Sequence, residues 1–175
     1  MCGFVGFTNY INNSNIVLEN MMNKIIHRGP DSGGTYIDDG IALGFRRLSI
    51  IDLAQGDQPI LNEDGSKVLL FNGEIYNFQS IREKLIAAGH KFKTKTDSEV
   101  LLHGYEEYGK NLLNMLRGMF AFVIWDKNTK ELFGARDFFG IKPLYYSLSG
   151  KSFLFGSEIK SFLPHPHFKK EMNEA

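Results

Sequence analysis

Apolar positions along this chain follow two periods, one of two residues and one near 3.6, and their alternation predicts the elements. Residues 3–8 (GFVGFT) form a short apolar run bounded by Asn9, which reads as a buried strand. Leu18, Met21, Met22, Ile25 and Ile26 repeat at helical spacing and predict a helix over about residues 15–26. Residues 35–37 and 41–48 read as two strands joined at Asp38-Asp39-Gly40. In the second, Ile41, Leu43, Phe45 and Arg47 share one face, and Arg46 points to the other. Residues 68–71 predict a strand entering Asn72-Gly73. Phe78, Ile81 and Leu85 mark a helix capped by Asn77 and stopped near Gly89. Thr96-Asp97-Ser98-Glu99 has the form of a capping box, opening a helix whose apolar face is Val100, Leu101, Tyr105 and Tyr108. Residues 119–125, 132–135, 144–148 and 152–155 read as strands, and residues 157–162 as a short helix. Arg136-Asp137, ahead of Gly140-Ile141-Lys142-Pro143, reads as an ion pair holding a loop, and residues 164–175 as a polar, loosely ordered tail. Seven to nine strands with three or four helices fit a layered α+β domain.

Composition narrows the class. Lys+Arg and Asp+Glu are both 20, so the formal net charge is zero, which argues against a nucleic-acid partner. A lone cysteine excludes an intrachain disulfide and suits a reducing, cytoplasmic setting. No run approaches the roughly 18 apolar residues of a membrane span. No Cys/His cluster has zinc spacing, and His165 and His167 around Pro166 do not make a site. The expectation is a site without a metal.

That one cysteine is residue 2. Trimming of Met1 would place a thiol nucleophile and a free α-amine on one residue, and an amine of pKa about 7.7–8.0 is a usable base near neutral pH. The alternative is a small residue opening a strand. Arg47 rides on an apolar face, so its guanidinium needs a carboxylate from the protein or from a bound substrate. Asn72-Gly73 is a strong hairpin signal; its other reading is an oxyanion hole, built from a side-chain amide and a backbone N–H. Asp97 at a first helical position suits the helix dipole, or binds a cation such as a substrate ammonium. His27-Arg28-Gly29-Pro30-Asp31-Ser32-Gly33-Gly34 reads as a turn-rich loop without the lysine of a phosphate loop.

Taken together, MCG at the start, HRGPDS (27–32), RLSIID (47–52), NGEIYN (72–77), TDSEV (96–100), GMFAFVIWD (118–126), RDFFGIKPLYY (136–146) and SEIK (157–160) resemble one family, in order. It is the N-terminal glutaminase domain of glutamine-hydrolysing asparagine synthetases, a class II glutamine amidotransferase of the N-terminal-nucleophile hydrolase superfamily. The resemblance covers about residues 2–163 and implies a four-layer αββα sandwich of two stacked, mainly antiparallel sheets. It implies Cys2 as nucleophile, Asn72 and Gly73 as the oxyanion hole, Arg47 on the α-carboxylate of L-glutamine and Asp97 on its α-ammonium. Glu74 and the backbone of Leu48, Ser49, Ile50 and Ile51 would line the same pocket. GEIYN, HRGPDS and KPLYY point to the asparagine synthetase branch, which enzymes amidating surface sugars also resemble.

The family's synthetase half, with its SGGxDS loop, is missing, and Asp31-Ser32-Gly33-Gly34 is not that loop. The expectation is an excised domain or a subunit that delivers ammonia to a synthetase domain or subunit and exposes a partly apolar docking face. It needs no cofactor of its own, ATP and magnesium belonging to the missing half. The rival classes are a non-catalytic module of the same fold and a hydrolase of another amide.

Overall fold

A computed structural model describes residues 2–9, 11–48 and 57–171. Their contacts divide the chain into two compact units, Met1–Ser49 with Pro143–Ala175, and Ile50–Lys142.

The first unit holds β1 (Gly3–Thr8), α1 (Ser14–Lys24), β2 (Ser32–Ile37) and β3 (Ile41–Arg47). The central part of the chain adds β4 (Ile60–Leu61), β5 (Lys67–Ile75), α2 (Phe78–Ala87), α3 (Asp97–Tyr108), β6 (Gly118–Asp126) and β7 (Glu131–Arg136) to the second. The chain then returns to the first unit with β8 (Tyr145–Ser149) and β9 (Ser152–Gly156). Each unit is thus a sheet with helices, and every strand pairing among the described residues is antiparallel.

In the first unit the strand order is β2-β3-β1-β9-β8, so β1 is the central strand. Val5, Phe7, Ala42 and Leu154 face Leu18, Met21, Met22 and Ile25, which confirms the helical stripe. The stripe ends one residue earlier than the spacing suggests: Ile26 is exposed and belongs to a short 3₁₀ turn, Ile26–Arg28. Gly44 lies against Met22, and the Arg46 guanidinium donates to Asn23 Oδ1 at 2.6 Å. Arg46 therefore faces α1 as its parity requires, and the Ile41, Leu43, Phe45 face is buried as well. β2 is longer than expected and runs through Gly33-Gly34, because ladder pairing with Phe45 and Arg46 uses backbone alone.

In the second unit the order is β4-β5-β6-β7, with α2 and α3 packed on Leu69, Phe71, Phe122 and Ile124. Four local expectations are corrected. Asn72-Gly73 is not a turn but mid-ladder, opposite Ala121 and Phe120. Asn77 does not cap α2 through its side chain: its amide instead donates to Met115 O and accepts from Arg117 N, tying the helix start to a distant loop. The capping box does not form either. Glu99 accepts from the N–H groups of Lys93 and Thr94, both at 2.7 Å, gathering the preceding loop rather than the Thr96 N–H. Arg136 and Asp137 do not pair with each other but each grips backbone. Arg136 Nε donates to Lys142 O, and Asp137 accepts from Phe120, Ile141 and Lys142 N–H.

Residues 164–168 are more tightly packed than their polarity suggests. His165 is 1% exposed with its ring edge-on to Phe7, and Phe168 packs on the same core. Burial, and then the neighbouring His167, pull the His165 imidazole down from 6.5 to about 4. The unfolded chain therefore binds the proton more readily across that interval. The contribution of neutral His165 is complete above pH 6.5 and is lost as pH falls toward about 4. Urea unfolding of wild type across this window should lose up to about 3 kcal/mol that a His165→Phe variant does not lose.

Candidate functional site

Cys2 immediately precedes the central strand of the first unit. It lies one position beyond the last β1–β3 pair, Gly3 with Arg46, so the register sets it beside the end of β3. Its Sγ receives the Leu48 N–H at 3.4 Å and lies 3.7 Å from Leu48 O. The sulfur is half-buried and free of any disulfide. A thiol held by a backbone donor at a strand end has a fixed direction.

The carbonyl of the same residue is held from the other side. Arg28 Nε donates to Cys2 O at 3.1 Å, and its Nη1 donates to Glu158 Oε1 at 3.2 Å. His27 Nε2 meets that oxygen at 2.9 Å, and Lys160 Nζ reaches Glu158 Oε2 at 3.1 Å. Burial alone would raise the Glu158 carboxyl, but the bonds from Lys160, His27 and Arg28 outweigh it and hold it below the usual carboxylate range. Gly3 has no side chain because a Cβ there would lie 2.9 Å from Arg28 Cδ and Nε, and Gly29 is pressed against the Arg46–Arg47 backbone.

Sequence reasoning missed Arg28 and Glu158. Their signal lay in HRGPDS and SEIK, two of the matching segments, which were read only as a loop and a helix. A lysine cannot fork to both acceptors as the guanidinium does. Arg28→Lys should therefore lower kcat about 10–100-fold with KM within about threefold, because it misplaces the nucleophile and leaves substrate contacts alone. Steady-state kinetics on the variant check this.

The second unit supplies the other set. Asn72, Gly73 and Glu74 are consecutive on β5. Asn72 is 4% exposed, and its Nδ2 has no hydrogen-bond partner among the described residues. A buried amide without a partner is costly and rare, so it calls for an explanation in function. Gly73 has no room for a side chain, since a Cβ there would press into Met119 O and Phe120 Cα. Asp97 opens α3, and its Oδ2 accepts from Ile75 N–H at 2.9 Å, which fastens the helix start to the end of β5. Burial pushes the Asp97 carboxyl above its ordinary range, against the N–H groups of Ile75 and Ser98, and the charge of exposed Glu74 adds to the rise. A carboxylate in such a place gains from a cation.

The predicted residues thus fall into two sets: Cys2, Arg47 and Leu48 in the first unit, and Asn72, Gly73, Glu74 and Asp97 in the second. Arg47 ends β3 and is half-buried. Ser49, Ile50 and Ile51, also expected to line the pocket, lie outside the described residues. The first unit offers a thiol and the Arg47 guanidinium, and the second offers the buried Asn72 amide, the Gly73 backbone and the Asp97 carboxyl. Acyl transfer from an amide that carries a zwitterionic end uses all of these.

The fold is shared with glutamine phosphoribosylpyrophosphate amidotransferase from B. subtilis complexed with ADP and GMP, at a TM-score of 0.77 and 24% identity, over 92% of this chain and 43% of that one. A second structure, an allosteric regulatory enzyme of purine biosynthesis, matches at 0.76 and 24% identity, over 93% of this chain and 43% of that one. The two-sheet α+β architecture is therefore shared with both of these structures.

The family is more specific. Residues 1–175 match the model of the glutamine amidotransferase domain, and this chain belongs to that family. Among its relatives, the glutamine-hydrolysing asparagine synthetase 1 of Bacillus subtilis (strain 168) is 48% identical over 168 residues, 93% of this chain and 27% of the relative. Asparagine synthetase 2 of Arabidopsis thaliana is 43% identical over 167 residues, 92% of this chain and 28% of the relative. An amidase of Gibberella zeae, chry2, is 43% identical over 149 residues, 83% of this chain and 22% of the relative. The chain thus spans between 22% and 28% of the length of these three relatives.

Proposed function

We propose that this chain hydrolyses the side-chain amide of L-glutamine to glutamate and ammonia, with Cys2 as its N-terminal nucleophile once Met1 is trimmed. The observation that carries the reading is the thiol of Cys2 held by Leu48 at the end of the central strand, in a chain of the glutamine amidotransferase family. The α-amine of Cys2 takes the thiol proton, and the sulfur adds to the amide carbon of the substrate. Negative charge develops on the carbonyl oxygen, where Asn72 Nδ2 and the Gly73 N–H stabilise it. The α-ammonium returns its proton to the leaving nitrogen, ammonia departs and a thioester remains. Water, activated by the same amine, cleaves the thioester to glutamate and restores the thiol. Arg47 binds the α-carboxylate and Asp97 the α-ammonium, with Glu74 and the 48–51 backbone along the pocket.

The ammonia passes to an asparagine-synthetase-type acceptor site on a synthetase domain or subunit outside residues 1–175. The relatives' names support this, as do Phe138 and Phe139, 95% and 83% exposed on the loop after β7. ATP and magnesium serve that partner, and the glutaminase half needs no cofactor. No helix among the described residues is long and apolar enough to cross a membrane. A reducing compartment such as the cytoplasm suits the free thiol.

The test is release of glutamate from glutamine by the purified protein, with its N-terminal mass recorded on the same sample. Loss of the anion in Asp97→Asn should raise KM about 10–100-fold, the worth of a charge-assisted bond, and leave kcat nearly unchanged. In wild type KM should climb as pH falls through the raised Asp97 value, because only the carboxylate holds the ammonium. Stability runs the other way. A carboxyl raised by burial destabilises the fold as pH rises through it, so Asp97→Asn should be no less stable than wild type at neutral pH. Release of glutamate that does not saturate, or a KM indifferent to Asp97, would count against the reading.

A further inference from the structure

The second unit carries a cluster that amide hydrolysis does not use. His90 follows the last turn of α2, where its N–H closes on Leu85 O at 3.0 Å. His103 and Glu106 stand three residues apart on α3 and so share a helix face. One ligand-type atom from each of His90, His103 and Glu106 lies within 4.8 Å of the other two. We propose that His90, His103 and Glu106 bind a divalent metal ion of the zinc class, which clamps the end of α2 to α3.

Four observations support the assignment. Two imidazoles and one carboxylate are a borderline-soft set that suits zinc, cobalt or nickel better than magnesium or calcium. His103 Nδ1 and Glu106 Oε2 are already 3.0 Å apart, and zinc bonds of about 2.0–2.1 Å in a tetrahedron place ligand atoms about 3.3 Å apart. Side-chain rotation at His90 closes the remainder.

The outer groups are arranged as metal sites arrange them. The far nitrogen of His103, Nε2, faces Glu99 Oε1 at 3.6 Å, and the second oxygen of Glu106 accepts from Asn62 Nδ2 at 2.6 Å. Such partners orient ligands and raise the basicity of a ligating imidazole. Glu107 Oε2 lies 3.2 Å from His90 Nε2 and plays the same part there.

The field favours a cation. Glu63, Glu99, Glu106 and Glu107 surround the two rings, against Lys67 beside Glu106. Glu63 Oε2, 3.7 Å from His103 Nδ1, is placed to serve as a fourth ligand, and a water could take that position instead. His103 itself is 2% exposed, so its ring is held in place by packing that includes Phe92.

The experiment is calorimetric titration of zinc chloride into Cys2→Ala protein, a background that removes the one thiol able to compete. His90→Ala and Glu106→Gln are measured beside it, both at half-buried positions where substitution leaves the α3 core intact. The expected result is one equivalent bound with a Kd of about 1 µM or tighter. Each variant should weaken binding about tenfold or more, with the circular dichroism of the metal-free protein unchanged. Binding weaker than that limit, or binding that either variant leaves intact, overturns the proposal and makes the cluster a proton-bridged set of His103 with its carboxylates.

Discussion

Replacement of Cys2 by alanine will reduce glutamate release from glutamine to the uncatalysed background, a loss of about 10⁴-fold or more. Nothing among the groups described in the first unit can take over. Leu48 offers only backbone, and Arg28 is already engaged with the Cys2 carbonyl and with Glu158. The variant should keep its melting temperature within a few degrees, because a half-buried thiol at a strand end contributes little packing. A wild-type preparation that retains Met1 should be equally inactive, since acylation removes the amine that serves as base. Mass spectrometry on each sample separates the two causes. Full activity in Cys2→Ala would remove this residue from the chemistry altogether.

Asn72→Ala is the second large effect. The Asn72 Nδ2 is buried and has no partner among the described residues, so its N–H groups have no bond there to lose on substitution. An oxyanion donor acts only when charge appears on the substrate. The variant should therefore lose about 10²–10³ in kcat, with KM close to wild type. Unfolding free energy should change by less than about 1 kcal/mol, because relief of an unsatisfied donor offsets the small cavity. Stopped assays and urea titration on the same sample check both halves. A large loss of stability with unchanged kcat would make Asn72 a structural residue.

The parts of the molecule that were legible in the sequence are those fixed by local period. The run at residues 3–8 is the strand β1 to the residue, and the side of β3 on which Arg46 lies follows from alternation alone. Polar residues were harder. Asn77, Thr96 and Glu99 have the spacing of caps, yet their side chains serve loops instead, because tertiary partners compete for the same donors. Asn72-Gly73 reads as a turn by propensity but lies within a nine-residue strand, where β6 supplies ladder partners that no local rule can see. Arg28 was hidden for a related reason: Glu158 is 130 positions away. In the His90, His103 and Glu106 cluster only the last two share a local spacing; His90, after the end of α2, meets them through the packing of α2 on α3.

The place of β1 has a consequence for how the protein is made. One edge of this strand pairs with β3, while the other waits for β9, and Phe4 is tied to Ser157, 153 residues later. At about 5–20 residues per second, the stretch between β3 and β9 takes about 5–20 s to synthesise. During that interval the leading strand is half-paired, and the methionine ahead of Cys2 can be removed before its surroundings close. Enzymes that trim the nascent chain thus have a window set by strand order, and rapid synthesis or a slow trimming enzyme would yield folded molecules whose nucleophile is still masked.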